Sequence, residues 1–162
     1  MAIRTFIIDG PDGTGKTTLG NILSKIYNIP LVHLTYYEDI EKHQEQFDQA
    51  ADLVKRPVIL DRYIFSEIAY RNVYRPNEIG IQNIDKMQNF ILNNDNIDII
   101  IALPENKEKW LENFKILEQN REEMYSSEKM GQIYDEYYKI WQNIRYNKNV
   151  FRYDMFENLL TK

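Results

Sequence analysis

The sequence predicts an α/β fold organised on a parallel sheet, and three observations carry that prediction. Short apolar runs at residues 3–8, 31–34, 58–61 and 97–103 alternate with longer segments of helical spacing along the chain. The first run passes directly into Gly10-Pro11-Asp12-Gly13-Thr14-Gly15-Lys16-Thr17, a phosphate-binding loop set between a strand and a helix. The third run ends on a carboxylate, Asp61, at the kind of strand tip where open α/β sheets gather their ligands.

Each element has its own signal. Leu19, Ile22, Leu23 and Ile26 recur at helical spacing and predict a first helix over 18–27, ended by Asn28-Ile29-Pro30. Leu31-Val32-His33-Leu34 reads as a second buried strand, with His33 a hydrogen-bonded core residue and Thr35, Tyr36 and Tyr37 beside the phosphate loop. Residues 38–55 are polar, with Ile40, Phe47, Ala50, Ala51 and Val54 scattered among them, which predicts a surface helix with a solvated His43. After the third strand, Ile64, Ile68 and Tyr70 belong to a helix running to about Tyr74, where Arg75-Pro76-Asn77 breaks it. A further helix covers 81–92, and the fourth strand, 97–103, is apolar nearly throughout, as a strand buried on both faces should be. Pro104-Glu105-Asn106 opens a long helix with Trp110, Leu111, Phe114 and Leu117 inward. The apolar pattern lapses between Glu118 and Ser127, an interval that reads as a mobile lid, and resumes through Met130, Ile133, Tyr134, Tyr137, Ile140 and Trp141. Most tyrosines of this last long helix are expected to be half-buried packing. Residues 149–153 give a weak last strand and 155–160 a closing helix, with no repeat or domain boundary, so 1–162 reads as a single domain.

The loop carries chemistry. Glycines at 10, 13 and 15 let successive backbone N–H groups turn inward as a nest for phosphate oxygens, and the following helix aims its N-terminus at the same anion. Lys16 would reach the β and γ phosphates, and the Thr17 hydroxyl would ligate Mg²⁺. Asp61 stands where a second Mg²⁺-coordinating group is expected, although Asp is also a favoured helix N-cap.

Composition narrows the partners. The chain has no cysteine, which excludes disulfides, thiolate zinc sites and a cysteine nucleophile. A formal net charge of −5 argues against a broad footprint for polymeric nucleic acid. No apolar run is long enough to span a membrane, and Met1-Ala2-Ile3-Arg4 leads into a strand rather than a signal sequence. The expectation is a soluble cytoplasmic protein, in a host cytoplasm if the abundant Asn and Ile reflect a phage genome.

At Gly10 to Thr18, and again at Asp61-Arg62-Tyr63-Ile64-Phe65-Ser66 with Ala69-Tyr70, the chain resembles the thymidylate kinases. Asp95-Asn96-Ile97-Asp98, Pro104-Glu105, Arg121 with Glu123, and Tyr153-Asp154 follow in that family's order. The resemblance implies the three-layer P-loop nucleoside triphosphate hydrolase/kinase fold with a parallel sheet and a helical lid, and transfer of the ATP γ-phosphoryl to dTMP. ATP and Mg²⁺ would sit on Gly10, Pro11, Asp12, Gly13, Thr14, Gly15, Lys16, Thr17 and Thr18, with Asp61 holding the metal through water. Asp12 would contact the 3′-hydroxyl of the acceptor and Arg62 would grip its phosphate, a task suited to the guanidinium fork. Tyr63, Phe65, Ser66 and Tyr70 would lie along sugar and base, near Tyr36 and Glu38. Some members carry an arginine inside the loop; Gly13 stands there, so the lid must bring the cation, Arg121 first and Lys115 or Lys129 otherwise. A homodimer is common in the family.

The chain departs from that pattern between the first helix and Asp61, where it is short and has Thr35-Tyr36-Tyr37-Glu38 in place of Arg-Glu-Pro. Few cations then serve the acceptor phosphate, with Arg71 and Arg75 either supplementing it or serving as surface charge. The deoxynucleoside kinases, which share the fold, are therefore the rival reading, with Glu38 as the carboxylate base that a neutral hydroxyl acceptor needs. A DNA-directed kinase and a nucleotide-binding switch are the remaining alternatives; Asn106-Lys107-Glu108-Lys109 lacks the carboxylate with which a GTP switch reads guanine.

Overall fold

The computed structural model describes residues 4–118 and 126–162, without the side chains of 117 and 118. In chain order the elements are β1 Thr5–Asp9, α1 Lys16–Tyr27, β2 Leu31–His33, α2 Ile40–Leu53, β3 Ile59–Asp61, α3 Ile64–Tyr74, α4 Ile84–Leu92, β4 Ile97–Ala102, α5 Lys107–Glu118, α6 Ser127–Ile144, β5 Val150–Asp154 and β6 Leu159–Thr161. The strands form one sheet in the order β2-β3-β1-β4-β5-β6. All neighbours are parallel except β5 and β6. This is the α/β architecture that the alternating sequence pattern predicts.

Strand alternation builds three layers. Phe6, Ile8, Ile59 and Ile100 point to one face and pack with Leu19 and Leu23 of α1. Ile7, Leu60, Ile97, Ile99, Ile101 and Val150 point to the other and meet residues of α2, α3, α4, α5 and α6. The central isoleucines are essentially inaccessible, each worth roughly 2–3 kcal/mol of burial. β1 and β3 lie side by side, Ile8 opposite Asp61, so the phosphate loop after β1 and the acidic tip of β3 emerge together. Adjacent parallel strands that part to opposite sides create the crevice in which ligands of open α/β sheets bind.

Four expectations are corrected. The closing helix over 155–160 is instead a turn followed by β6. Asp154 Oδ1 accepts from the Phe156 N–H at 3.0 Å, and Asn158 has φ 49°, so a left-handed residue reverses the chain. β2 is a half-buried edge strand rather than a buried one, because among the described residues no strand lies beyond it. Its His33 consequently leaves the core, with a side chain 59% exposed. His43, expected in solvent, is buried against Glu67, with its Nδ1 accepting from the Tyr37 N–H at 3.3 Å.

Gly10 marks the tightest backbone approach at the loop. Its φ is 156°, and a Cβ there would stand 2.2 Å from the Ala102 carbonyl oxygen of β4. Since backbone atoms of a central strand cannot yield, Gly10→Ala is expected to cost about 3 kcal/mol. Thermal unfolding should show a Tm lowered by roughly 6–12 °C; an unchanged Tm would mean that β4 is free to shift.

Candidate functional site

The phosphate loop takes its shape from glycine backbone angles and from a carbonyl cradle. Gly13 and Gly15 have φ 72° and 80°. Gly15 occupies the N-cap of α1 and has no side chain with which to cap it, which leaves the helix N-terminus suited to an anion. Lys16 is buried, and its Nζ donates to the Pro11 carbonyl at 2.6 Å. Burial lowers its pKa to about 8, against the opposing pull of Asp61 and Asp9. A lysine held this way is poised to exchange a neutral carbonyl for a phosphate oxygen.

Beneath the loop lies a residue that sequence reading overlooked. Asp9, at the end of β1, is fully buried. Its Oδ1 accepts from the Gly10 N–H at 2.9 Å, the Ser66 hydroxyl at 2.5 Å and the Tyr137 hydroxyl at 2.7 Å. Its Oδ2 accepts from the backbone N–H groups of Tyr63 and Ser66 at 3.0 and 3.1 Å. One carboxylate thus closes the loop, starts α3 and receives α6. Tyr137 remains a donor, because burial and then the adjacent Asp9 raise its pKa well above the ordinary value. The available signal was an acidic residue ending an apolar strand, the same signal that singled out Asp61. For Tyr137, expected to be packing alone, no local signal exists: its partner is 128 residues away.

The tip of β3 supplies the second acidic group. Asp61 is also fully buried, and its Oδ2 accepts from the Thr17 hydroxyl at 2.8 Å. The same oxygen lies 2.9 Å from Nδ1 of His33, and Oδ1 has no hydrogen-bond partner among the described residues. A buried carboxylate oxygen without a donor is costly unless something fills the place. Beside a threonine hydroxyl and an anion nest, Mg²⁺ with its water fits that requirement, the phosphates supplying further oxygens. Among the described residues no cluster of three or more carboxylate or imidazole groups could hold a metal by itself. Thr17 and Asp61 could hold an ion only together with further oxygens from a ligand.

Opposite the nest, the structure brings Asp12 and Arg62 into a direct ion pair. Arg62 has φ 76°, a left-handed conformation that a residue with a Cβ adopts only under constraint. The constraint is visible: its N–H donates to the Ile8 carbonyl at 2.8 Å, extending the β1–β3 ladder past Asp61. The guanidinium also lies 5.2 Å from the Tyr70 ring centroid and donates from Nη1 to the Ser66 hydroxyl at 3.4 Å. Tyr70 in turn accepts the Asp12 N–H at 3.2 Å through its hydroxyl.

Other expected site residues fall elsewhere. Tyr63 and Phe65 are buried in the core, the Tyr63 ring 5.0 Å from Phe47. Tyr36 is exposed beside His43, with the Arg75 guanidinium 4.1 Å from its ring centroid. Arg71 donates to the Glu78 carbonyl at 3.3 Å. Glu38 and Thr18 are exposed, and Thr14 is buried with its hydroxyl donating to Pro11 O at 2.8 Å. Arg121, Glu123 and most of the expected lid lie outside the described residues. Lys115 is exposed in the last turn of α5, and Lys129 lies 6.0 Å from the Tyr74 ring centroid. A groove of about 690 Å³ between α2 and residues 79–82 is lined by Glu41, Glu45, Asp48 and Asp52. Four carboxylates repel phosphate, so this groove does not suit an anionic ligand.

No protein-family model matches the chain, and no curated protein resembles it significantly in sequence. Solved structures do resemble it in fold. The YorR protein of Bacillus subtilis, in complex with phosphorylated GDP, superposes with a TM-score of 0.71 at 19% identity, over 93% of this chain and 85% of that one. Deoxyadenosine kinase from M. mycoides with bound dATP gives 0.62 at 18% identity, over 93% and 90%. Thymidylate kinase from Candida albicans gives 0.58 at 13%, over 93% and 83%. The fold is therefore that of the P-loop kinases.

Two measurements test the site as built. Tyr137→Phe removes one donor to a buried carboxylate and should cost about 1.5–3 kcal/mol in denaturant unfolding; a neutral substitution would mean that Asp9 is held without it. The free protein loses the Lys16 proton as pH rises through about 8, whereas a phosphate site needs the ammonium. Calorimetric affinity for metal-free ADP should thus be flat below about pH 7.5 and fall toward tenfold per unit above about 8.5. A level profile to pH 9.5 would show that Lys16 does not meet the phosphate as a cation.

Proposed function

We propose that the protein is a nucleotide kinase moving the γ-phosphoryl of ATP onto a deoxynucleoside monophosphate, with dTMP the first acceptor to test. The observation that carries this reading is Arg62, held in a left-handed conformation and paired with Asp12 at the crown of the phosphate loop. Strain of that kind persists where a side chain must be aimed. An acceptor phosphate would take the guanidinium fork, leaving Asp12 free for a sugar hydroxyl. An oxygen of that phosphate then attacks the γ-phosphorus, the bond from the γ-phosphorus to the β–γ bridging oxygen breaks, and ADP leaves with the electron pair. The acceptor oxygen is already ionised at neutral pH, so no general base is required. Lys16 and the N–H groups of the loop and α1 would stabilise the charge spreading over the transferred group. Mg²⁺ bound at Thr17 and through water at Asp61 would neutralise β and γ oxygens.

A second reading, deoxynucleoside kinase, is favoured by one observation: the cation on the acceptor side is already neutralised by Asp12. A neutral nucleoside suits such a pair. It would need a base, and Glu38 on the exposed segment before α2 would have to swing in to serve.

A coupled ADP-release assay with ATP and Mg²⁺ should give turnover on deoxynucleoside monophosphates, dTMP foremost, and none on the matching nucleosides. The reverse result would sink the leading reading in favour of the second. Arg62→Lys keeps the charge but loses the fork, and should raise the acceptor KM or lower kcat by roughly ten- to a hundredfold. Glu38→Gln should leave kcat within a few-fold, whereas a hundredfold loss fits a nucleoside acceptor.

A further inference from the structure

The phosphate loop is pinned from a direction that its motif does not specify. Trp110, on α5, is fully buried, with its ring centroid 6.1 Å from that of Phe114 and 5.5 Å from that of Tyr134 on α6. Its indole N–H donates to the Asp12 carbonyl at 3.0 Å. A buried indole N–H requires a partner, and here that partner is the loop crown. Asp12 is thereby held on both sides, its N–H by the Tyr70 hydroxyl of α3 and its carbonyl by Trp110 of α5.

The carbonyl of Asp12 and the N–H of Gly13 belong to one peptide plane and point in opposite directions from it. Whatever fixes the carbonyl also fixes the N–H. The following residue is a glycine at φ 72°, and glycine lets such a plane rotate at little steric cost. Without an anchor, the plane is free to turn its carbonyl toward the phosphates and its N–H away. Gly13 follows Asp12, whose carboxylate pairs with Arg62, and precedes the N-cap Gly15 by two residues; with the Asp12 carbonyl turned to Trp110, the Gly13 N–H turns away from α5.

We infer that Trp110 is a positioning residue: its indole N–H pins the Asp12–Gly13 peptide and so aims the Gly13 N–H at the terminal phosphate of a bound nucleoside triphosphate. Trp110 also lines a cavity of about 240 Å³ with Gly13, Phe114 and Met155. The inference rests on the reading that ATP fills the loop, and it concerns binding, whatever acceptor is used.

The test compares Mg·ATP with Mg·ADP by calorimetry in the wild type, Trp110→Phe and the distant control Trp141→Phe. Trp110→Phe keeps an aromatic ring and removes the donor. It should weaken Mg·ATP by at least about fivefold and Mg·ADP by less than about twofold, because only the longer chain reaches the Gly13 N–H. Equal losses for the two ligands, the result of general loosening, would overturn the inference, as would no loss at all. Should Trp110→Phe fail to fold, Trp141→Phe leaves Trp110 as the sole indole. Its emission should then respond more to Mg·ATP than to Mg·ADP, and an identical response would be decisive against the pin. A protein that binds ATP with this discrimination yet turns over no acceptor would refute the kinase reading and leave the role of Trp110 standing.

Discussion

The arrangement depends on one buried carboxylate. Asp9 sits at the end of a central strand, where desolvation penalises a charged group unless donors surround it. The donors come from three places: the loop at Gly10, the start of α3 at Tyr63 and Ser66, and Tyr137 of α6. Satisfying Asp9 therefore brings together segments that are otherwise unconnected in sequence. It also sets where Arg62 must lie, because the residue between the β3 tip and the bonded N–H of Tyr63 has little conformational choice.

Around that anchor the charges are laid out for an anion. Lys16 is buried against a carbonyl and is only loosely committed to its proton. Among the described residues Asp61 Oδ1 has no donor, while Oδ2 of the same carboxylate accepts the Thr17 hydroxyl. The uncapped N-terminus of α1 adds dipolar attraction. Each feature costs the unliganded fold something, and under the proposed function a polyphosphate with its metal would relieve each. Such a pattern belongs to binding sites, where stability is traded for affinity.

Aromatic residues do the mechanical work near the crown. Tyr70 and Trp110 hold the two peptide groups flanking Asp12, and Tyr137 braces the carboxylate below. Their large rings are locked by packing, so each hydrogen bond is made at little additional entropy cost. The loop thus borrows its rigidity from α3, α5 and α6, which lie on the face of the sheet opposite α1.

By itself the sequence determined what is local. Apolar runs of strand length, helical spacing and the glycine-lysine-threonine loop predicted the parallel core and the phosphate nest, because strand burial and left-handed turns are written in neighbouring residues. It likewise pointed to Lys16, Thr17 and Asp61; the structure bonds Thr17 to Asp61 and holds Lys16 on the Pro11 carbonyl, within electrostatic reach of Asp61. Edges and long-range partners were decided only by the tertiary structure. Whether His33 is buried depends on whether another strand lies beyond β2, and whether His43 is solvated depends on Glu67 approaching from another helix. The turn and β6 displaced an expected helix because β5 offered an open ladder. Asp9, Tyr137 and Trp110 gained their roles from partners 54 to 128 residues away. A side chain's propensity describes its own backbone; its function here is set by which distant donor the fold places against it.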